Sequence, residues 1–593
     1  MKKIINRPEQ VVTEMCQGMA LAHPELEFSQ KYKFITKKNL NQDKVTLISG
    51  GGSGHEPAHA GFVGEGMLDA AVCGDVFASP SQIQVYQTIR ETKSRKGTLL
   101  IIKNYSGDMM NFKNAAYMAR EDGIQVDYIK VDDDIAVQDS LYTVGRRGVA
   151  GTVFVHKIAG AAAEAGCSLE EVKAVAEKTA ASVKSIGFAL TSCTVPAKGT
   201  PTFEIGEDEM EYGVGIHGEP GIKREKQTDA DTVAERMTAQ LLEALGLEED
   251  AEDEIAVLVN GLGGTPAQEL YILNRSLRKA LAKRKIRTRF SLVGNYMTSI
   301  DMMGASISIL KLDEELKKYL FAPCSTPALK IDHAPETTGF QELEEEGRAG
   351  ENAENSAGKS GKYRGEGKIR DEKITLHNMI FMIDCIGGYI IQNEIPFCEL
   401  DSHAGDGDFG MSVAKGFKQL RKEWGEVIES SGDIASFLNA CSLIIMEHCG
   451  GASGPIWGSA FRAAAKSAEG KETLEAEDMA VMLGRAVQGI QATGERSFGR
   501  GAVPGDKTLI DALVPCADEW TRLTSERAPL LEIFRRAAEA AKAGAESTKA
   551  IVARMGRAGT VGERSLGYPD AGAYALGEIF GDLACRLEEV QSQ

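Results

Sequence analysis

The chain has 593 residues, a mass of 63.7 kDa, and 43% hydrophobic and 26% charged residues, so it is long enough for more than one domain with its own core. Its formal net charge of −19 is not offset by any basic block, which excludes a nucleic-acid-binding or anionic-membrane surface. The 11 cysteines include no CxxC pair, the start MKKIINRPEQ lacks a signal peptide's apolar segment, and no uncharged apolar run reaches about 18 residues. We therefore expect a cytoplasmic protein with reduced thiols and no membrane segment.

Short β-rich runs alternate with helical segments in the first half of the chain. KVTLIS, TLLIIKNY, VDYIKV and TVFVH each end near glycine or polar residues and precede amphipathic stretches. This alternation predicts a mainly parallel α/β sheet with active loops beyond the strand ends. A second set follows, with GFALTSCTV, EIAVLVNGLGG, FSLVGNYM and SISILKL, so we expect two α/β lobes that meet near residues 180–190.

Residues 332–372 are rich in Glu, Gly, Lys, Asn and Ser and poor in large apolar side chains. Such a segment cannot bury enough surface to offset the entropy of ordering the chain. It predicts a flexible linker between an N-terminal α/β domain, residues 1–331, and a C-terminal domain, residues 373–593.

The second half has the pattern of helices. Apolar residues recur three or four positions apart in eight segments, which begin near Leu376, Met411, Asp433, Ile456, Ala476, Lys507, Leu530 and Gly572. The connecting turns carry the glycines and nearly all the acidic clusters. We predict about eight antiparallel helices with the functional residues in the loops at one end.

The segment GGGSGHEPAH, Gly50 to His59, directly follows the strand KVTLIS. Its glycines could cradle a phosphate or let the backbone close on a small ligand, or they could serve only the turn. The GK[ST] ending of a Walker A loop is absent. His55 and His59 have the i, i+4 spacing of metal ligands, but Pro57 interrupts a regular helix and no third ligand is evident. A polar catalytic role for His55 is the preferred interpretation.

Two further motifs carry candidate chemistry. Asp108 lies in SGD after the strand TLLIIKNY, where a carboxylate can be catalytic or can cap a helix. His217 lies between glycines in GVGIHGEPG, where small neighbours expose the imidazole to a ligand. A loop histidine can equally be ordinary polar surface.

Asp401, Asp406 and Asp408 form a D-x4-D-x-D cluster in a glycine-rich turn. Three carboxylates so close together would repel one another without a cation, and hard oxygen ligands suit Mg²⁺ that bridges phosphates. An EF-hand does not fit, because its ligand order is absent and the twelfth position from Asp401 is Ser412. A solvated acidic loop remains the alternative.

The chain resembles the dihydroxyacetone kinase family. NYSGDMMNF, GRRGVAGTVFVHKIAGAAAEAG, EMEYGVGIHGEPG and VGNYMTSIDMMGASISILKLDEEL follow the family's pattern almost throughout. The resemblance covers residues 1–330 and resumes from about residue 374 to the end. It implies a fused, ATP-dependent kinase with an α/β domain of two lobes and an all-α domain that forms an eight-helix antiparallel barrel.

For the α/β domain, the resemblance implies a substrate held covalently. His217 would bind the carbonyl carbon of a short ketose as a hemiaminal, which glycerol cannot form because it has no electrophilic carbon. Asp108 and His55 correspond to the family's acid–base pair. The matching substrate-contact positions are Gly52, Ser53, Gly54 and Lys103.

For the helical domain, the resemblance implies Asp401, Asp406 and Asp408 as ligands of two magnesium ions that bind the phosphates of ATP. The matching nucleotide positions are Phe409, Gly410, Met411, Ser412, Ala452, Ser453, Thr508, Leu509, Arg557, Asp570, Ala571 and Gly572. Phe409 stands where relatives carry His or Thr, Ala571 replaces a proline, and Leu509 replaces a frequent Met. None of these departures removes a charge needed for metal binding.

The expected activity is ATP-dependent phosphorylation of dihydroxyacetone in a homodimer whose helical domain serves its own or the partner subunit. A phosphoenolpyruvate relay is disfavoured because no further phosphocarrier domain is present. The alternatives are kinase activity on erythrulose or glyceraldehyde, an FAD-splitting lyase activity that forms cyclic FMN, and a ligand sensor without catalysis. The intact Asp108 and magnesium aspartates argue against the sensor.

Overall fold

The structure is a computed structural model that describes residues 2–137, 145–219, 221–248, 253–334, 338–342, 366–555, 559 and 562–592. The chain divides into two compact units, Met1–Leu343 and Glu344–Gln593. In the described part of the chain, no helix is long and apolar enough to cross a membrane. The predicted bounds of the linker stay a prediction, because residues 335–337 and 343–365 lie outside the described residues.

The first unit begins with a six-stranded sheet in the order β1-β2-β4-β3-β5-β6. Strands β3 to β6 pair in parallel, whereas β1 and β2 add an antiparallel edge. The strands are β1 (Leu26–Ser29), β2 (Phe34–Lys37), β3 (Thr46–Ser53), β4 (Ala70–Val76), β5 (Thr98–Lys103) and β6 (Val126–Val131). The helices up to the second sheet are α1 (Val11–Ala22), α2 (Gln82–Thr92), α3 (Ser106–Glu121), α4 (Thr152–Glu164) and α5 (Leu169–Ser182).

A second six-stranded sheet has the order β11-β10-β12-β7-β8-β9. It starts at Val183, within the range predicted for the boundary between the lobes. Among its described strands, only β10 and β11 pair in parallel, and the other pairs are antiparallel. The strands are β7 (Val183–Ala189), β8 (Glu209–Tyr212), β9 (Lys223–Lys226), β10 (Glu254–Gly261), β11 (Arg287–Gly294) and β12 (Gly304–Leu312), with helices α6 (Ala230–Leu245), α7 (Ala267–Lys283) and α8 (Glu314–Leu320) and a small pair β13 (Cys324–Ser325) and β14 (Lys330–Ile331).

The two sheets and their helices form five layers. Helices α2 and α3 cover one face of the first sheet, α4 and α5 lie between the two sheets, and α6 and α7 cover the outer face of the second. Within the central layer, every residue of α4 from Thr152 to Ala163 is buried. This arrangement confirms the predicted pair of α/β lobes and joins them through one shared core.

The prediction of a strand at TVFVH is wrong, because these residues begin helix α4. A short apolar run has the same appearance in a fully buried strand and in a fully buried helix. The small residues of KIAGAAAE that follow let α4 approach its neighbours closely; a side chain on Gly160 would collide with the backbone of Gly66 and Met67.

The second unit is all helical in its described residues. Eight helices contact one another in a closed ring, in the order α9, α11, α13, α14, α15, α16, α17, α18 and back to α9, which confirms the predicted eight-helix barrel. Two short helices, α10 and α12, are additional. The bounds are α9 (Leu376–Gln392), α10 (Glu394–Asp401), α11 (Phe409–Lys422), α12 (Trp424–Ser430), α13 (Ile434–His448), α14 (Ser453–Ser467), α15 (Ala476–Phe498), α16 (Ile510–Ser525), α17 (Leu530–Ser547) and α18 (Ala571–Ser592).

Candidate active site

Four segments of the first unit bring the predicted catalytic residues and Lys103 together. His55 follows β3, Lys103 ends β5, and Asp108 lies in the first turn of α3. His217 comes from the loop after β8, in the second sheet. All of these except His217 are at most 5% exposed, so the site is largely shielded from solvent, and it lies at the carboxyl ends of the parallel strands.

The imidazoles of His55 and His217 face each other, with their Nε2 atoms 3.1 Å apart. His55 Nδ1 lies 2.8 Å from the carbonyl oxygen of Thr298, and His217 Nδ1 lies 2.9 Å from Glu219 Oε1. A carbonyl and a carboxylate can only accept, so both Nδ1 atoms carry a proton. Burial, together with the nearby charges of Lys103 and His217, lowers the pKa of His55 well below its usual value.

Aromatic rings fix the orientation of this pair. Phe77 stacks on His55 with ring centroids 5.2 Å apart, and Tyr105 packs edge-on against His217 at 4.6 Å. Phe77 and His217 are also edge-on, at 5.0 Å. The two imidazoles therefore have little freedom to rotate away from each other.

Lys103 and Asp108 meet over Gly51. A Cβ atom on that glycine would lie 3.2 Å from Asp108 Oδ2 and 3.3 Å from Lys103 Nζ. Burial lowers the pKa of Lys103 and raises that of Asp108, while each charge partly offsets the effect on the other. Ser79 Oγ donates to Asp108 Oδ1, whereas Lys103 Nζ has no hydrogen-bond partner among the described residues. A buried donor of this kind is suited to a ligand hydroxyl.

Gly52, Ser53 and Gly54, the predicted substrate contacts in the glycine-rich turn, also have roles in the fold. A side chain on Gly52 would collide with the backbone of Phe77 and Ala78, and Gly54 has a φ of +101°. Ser53 Oγ donates to the carbonyl oxygen of Gly74 at 2.7 Å. The roles of these three residues in substrate binding stay predictions.

In the second unit, the three predicted metal ligands converge. One carboxylate oxygen each of Asp401, Asp406 and Asp408 lies within 4.8 Å of the others. The backbone shapes this turn, because Gly407 N donates to Asp401 Oδ2 at 2.9 Å and a side chain on Gly405 would collide with Asp401. Three hard oxygens with open sides fit a hydrated Mg²⁺.

The predicted nucleotide residues fall into two groups. Ala452, Thr508 and Leu509 line one cavity of about 170 Å³, and Gly572 lies against both Leu509 and Asp570. Removal from water and the carboxylates of Asp511 and Asp401 raise the pKa of Asp570 to about 7.

Other predicted positions lie on or near α11. Ser412 is buried beside Gly450, close to Ser453 at the start of α14. Phe409 packs against Phe397, and a side chain on Gly410 would collide with the backbone of α10. Met411 lines a different cavity, together with Lys415 and Lys418. Ala571 is the first residue of α18, and Arg557 lies outside the described residues.

Several residues of both sites were missed at the level of sequence. Glu219 stands in the quoted motif GIHGEPG, two positions after His217, and this spacing could have revealed it. Thr298 acts through its backbone, for which no side-chain signal exists. In the second unit the missed residues are Asp511, which accepts from the backbone of Gly505 and Thr508, Lys507, and the stacked pair of His403 and Tyr568, with centroids 3.8 Å apart.

Comparisons with known proteins cover both units. Residues 17–328 match the Dak1 domain and residues 403–585 match the DAK2 domain. The first unit is similar to PTS-dependent dihydroxyacetone kinase 1, dihydroxyacetone-binding subunit DhaK, of Listeria innocua, with 52% identity over 53% of this chain and 95% of that protein.

Other relatives match this chain over nearly its whole length. The human triokinase/FMN cyclase is 33% identical over 100% of both chains, and the D-erythrulose kinase of Mycolicibacterium smegmatis is 33% identical over 97% of both. The crystal structure of the dihydroxyacetone kinase from C. freundii in complex with AMP-PNP and Mg²⁺ matches 99% of both chains, with a TM-score of 0.59 and 30% identity. The identity and coverage across both units establish that this chain belongs to the dihydroxyacetone kinase family.

Proposed function

We propose that the chain phosphorylates dihydroxyacetone to dihydroxyacetone phosphate with ATP and Mg²⁺, and that the ketose is held as a hemiaminal on His217. The observation that carries this proposal is the pair of facing Nε2 atoms of His55 and His217, beside the buried Lys103 Nζ, which has no hydrogen-bond partner among the described residues. Phosphorylation of a short sugar agrees with the family; the choice of ketose and the covalent adduct are the proposal.

The pair of histidines supports capture because a proton held between the two Nε2 atoms would be available to the carbonyl oxygen when the bond to His217 forms. Both Nδ1 protons are engaged, so two neutral rings would bring two lone pairs together over 3.1 Å, and a proton between them removes this repulsion. When that proton moves to His55, His217 Nε2 is free to form a bond to the carbonyl carbon. The carbonyl π bond breaks, and its oxygen takes the proton from His55 to become a hydroxyl.

Asp108 and Lys103 support the transfer step. Asp108 would accept the proton of the terminal hydroxyl as its oxygen attacks the γ-phosphorus, and Lys103 would donate to a substrate oxygen. Covalent attachment fixes that hydroxyl in place, so the step gains the advantage of an intramolecular reaction. Glycerol has similar hydroxyls but offers no electrophilic carbon, and we expect it to be rejected.

The second unit would supply the phosphoryl donor. AMP-PNP and Mg²⁺ in the C. freundii structure, and the converging carboxylates of Asp401, Asp406 and Asp408, support ATP and Mg²⁺ as its ligands. When bound there, Mg²⁺ would neutralise phosphate charge as it develops during transfer. The turn around Thr508 and the segment that contains Asp570 would hold the rest of the nucleotide, and Arg557 remains a proposed phosphate partner.

The assembly and location of the chain are also proposals. We propose domain bounds of 1–331 and 373–593 with a linker between them, a homodimer, and a cytoplasmic location. Residues 332–372 form a long segment with the composition of a linker. A linker of this length supports a helical domain that can reach a substrate site in its own or the partner subunit. Sedimentation equilibrium of the purified chain would test the dimer.

The test of the covalent step follows the carbonyl carbon of [2-¹³C]dihydroxyacetone by NMR while ATP turnover is measured. Wild-type protein should give a protein-bound tetrahedral carbon and Mg²⁺-dependent phosphorylation. His217→Ala should give neither, because the nucleophilic nitrogen is removed, with at least about 10³-fold loss of turnover. His23→Ala, a matched change at a partly exposed histidine, should behave as wild type.

A panel of erythrulose, glyceraldehyde and glycerol identifies the preferred substrate in the same assay. Wild-type turnover of dihydroxyacetone without a tetrahedral carbon, or full activity of His217→Ala, would rule out the covalent step. Preference for a C4 ketose would keep the chemistry and change the substrate.

A second activity is favoured by the relatives named triokinase/FMN cyclase, which match 97–100% of their length. We propose that the nucleotide site can also split FAD to cyclic FMN, a reaction that does not need a ketose carbonyl. His217→Ala should then lose kinase activity and retain FAD splitting, whereas Asp406→Asn should lose both.

A further inference from the structure

Glu219 makes two contacts with the proposed nucleophile. Its Oε1 atom lies 2.9 Å from His217 Nδ1, and its Oε2 atom accepts from the backbone N–H of His217 at 2.8 Å. The residue is only 5% exposed. A buried carboxylate so placed has both oxygens committed to one histidine, which is more than a loop contact requires.

A second layer of charge lies behind Glu219. Arg147 is fully buried and donates from Nε to Asp134 Oδ2 at 2.7 Å and from Nη2 to the carbonyl oxygen of Gly213 at 2.8 Å. A side chain on Gly215 would collide with both Arg147 Nη1 and Glu219 Oε2, so the guanidinium and the carboxylate approach the same point. Arg147 thus links Asp134, at the end of the first sheet, to the loop that carries His217.

The charges around Glu219 keep it ionised. Burial alone would raise its pKa, but the charge and hydrogen bond of His217 and the charge of Arg147 more than offset that effect and lower the pKa to about 2. The carboxylate is therefore available as a counter-charge throughout the ordinary pH range.

We propose that Glu219, which lies beside the buried guanidinium of Arg147, is a positioning residue that keeps a proton on His217 Nδ1, leaves Nε2 to attack the ketose, and balances the charge of the adduct. The inference deepens the proposed function and rests on it. Glu219 does not touch the reacting carbon; it acts through the ring.

The charge balance of capture explains why a carboxylate belongs there. The proposed capture step starts from one extra proton between the two facing Nε2 atoms, and so from one positive charge on the pair. After capture, that proton is on the new hydroxyl, the bond from Nε2 to carbon has formed, and the His217 ring is an N-substituted imidazolium that still holds its Nδ1 proton. The positive charge has moved onto the ring next to Glu219, and no proton is gained or lost overall.

A purely structural role makes a different prediction. Glu211 anchors the same loop, since it accepts from Gly221 N at 3.0 Å and from Arg224 Nε at 3.1 Å, and it is 7% exposed. It makes none of the described hydrogen bonds to His217. If order of the loop were all that mattered, Glu211→Gln and Glu219→Gln would have similar effects, and Glu211→Gln is therefore the matched control.

The first measurement needs no substitution. In full-length protein labelled with ¹⁵N-histidine, the two ring nitrogens of His217 report their protons through their chemical shifts, with His217→Asn to assign the signal. We expect a protonated Nδ1 in the wild type. An unprotonated Nδ1 in the free wild-type protein would overturn the proposal even if every variant failed to fold.

The second measurement compares variants. Glu219→Gln should shift the ring proton away from Nδ1 and lower kcat/KM for the ketose by about 100-fold or more, with the tetrahedral ¹³C signal weakened and the KM for ATP unchanged. Glu219→Asp should recover part of the loss, and Glu211→Gln should stay within a few-fold of wild type.

The outcomes separate this proposal from the proposed function. A wild-type protein that phosphorylates dihydroxyacetone without a tetrahedral carbon refutes the covalent function, and the charge-balance role of Glu219 fails with it. A wild-type adduct that persists unchanged in Glu219→Gln, with the same ring proton, leaves the function intact and refutes the role of Glu219. Equal losses in Glu219→Gln and Glu211→Gln also refute it.

Discussion

His156 is a buried histidine without a role in the proposed chemistry. It lies on α4 with neither ring nitrogen hydrogen-bonded to any described residue, and its ring packs against His59 and Phe62. Burial and the charge of Lys103 lower its pKa from 6.5 to about 3. The folded protein therefore keeps this ring neutral, whereas the unfolded chain binds a proton below pH 6.5.

This difference predicts how stability depends on pH. Because only the unfolded state gains the proton, His156 lowers the free energy of unfolding as the pH falls from 6.5 towards about 3, by about 1.4 kcal/mol per pH unit. His156→Leu should reduce the pH slope of the free energy of unfolding by this amount, measured by urea unfolding of the first unit across the pH range; buried His55 and His59, whose pKa values are also lowered, keep their own share. His23→Leu is the control, and an unchanged slope in His156→Leu would contradict the prediction.

The proposed catalytic side chains could be predicted from the sequence, but the residues that contact them could be predicted only in part. His55, Asp108 and His217 stand in distinctive motifs, and the structure brings them into one pocket. Glu219 was visible in GIHGEPG yet was not assigned a role, because a carboxylate two positions from a histidine in a loop has many possible directions. The carbonyl of Thr298 could not be found, since every residue has one and only the fold decides which one faces His55.

At the scale of elements, Lys507 connects the start of α16 to the segment before α18. Its backbone has a φ of +62°, and its buried amine donates to the carbonyl oxygens of Ile551, Ser565 and Tyr568. The next residue is Thr508, a predicted nucleotide contact. The three hydrogen bonds offset the unfavourable backbone conformation and fix the geometry of this turn.

Lys507→Met should therefore weaken both stability and nucleotide binding. Each carbonyl left without a donor costs about 1–3 kcal/mol, so we expect a clear fall in the melting temperature of the helical unit and a raised KM for ATP. Calorimetry and steady-state kinetics provide the measurements. Lys549→Met, at an exposed ion pair with Glu546, should change neither, and a wild-type KM in Lys507→Met would disprove the positioning of Thr508.

The elements that were predicted best are those with one exposed face. All eight helices of the barrel were found, because each has a polar side that makes the helical period visible. The buried helix α4 was taken for a strand, because its first turn has no polar side. The short helices α10 and α12, of eight and seven residues, were too brief for a periodic pattern.

At the scale of the whole molecule, the two compact units each have a core of their own. They should therefore give two thermal transitions. Mg²⁺ with AMP-PNP should raise the midpoint temperature of the helical unit's transition only. At a ligand concentration 100 times the Kd, the free energy of unfolding of that unit should increase by about 2.7 kcal/mol. Dihydroxyacetone should raise only the midpoint of the other transition.

Asp406→Asn distinguishes loss of the metal site from loss of stability. Without Mg²⁺ the variant should be as stable as wild type or slightly more so, because repulsion among the three carboxylates is reduced. With Mg²⁺ and AMP-PNP, its upward shift should be abolished in differential scanning calorimetry. A shift equal to that of wild type would exclude Asp406 as a metal ligand.

The pocket joins parts of the chain that are made at very different times. The imidazole of His55 contacts the carbonyl oxygen of Thr298, which lies 243 positions later in the chain. Ile300 N donates to the carbonyl oxygen of Gly54 at 2.8 Å. At a synthesis rate of about 5–20 residues per second, Thr298 leaves the ribosome roughly 12–50 s after His55. During that interval the first sheet can form while His55 still lacks the contact with Thr298, so the geometry on which the proposed capture depends is complete only after the second sheet has been synthesised.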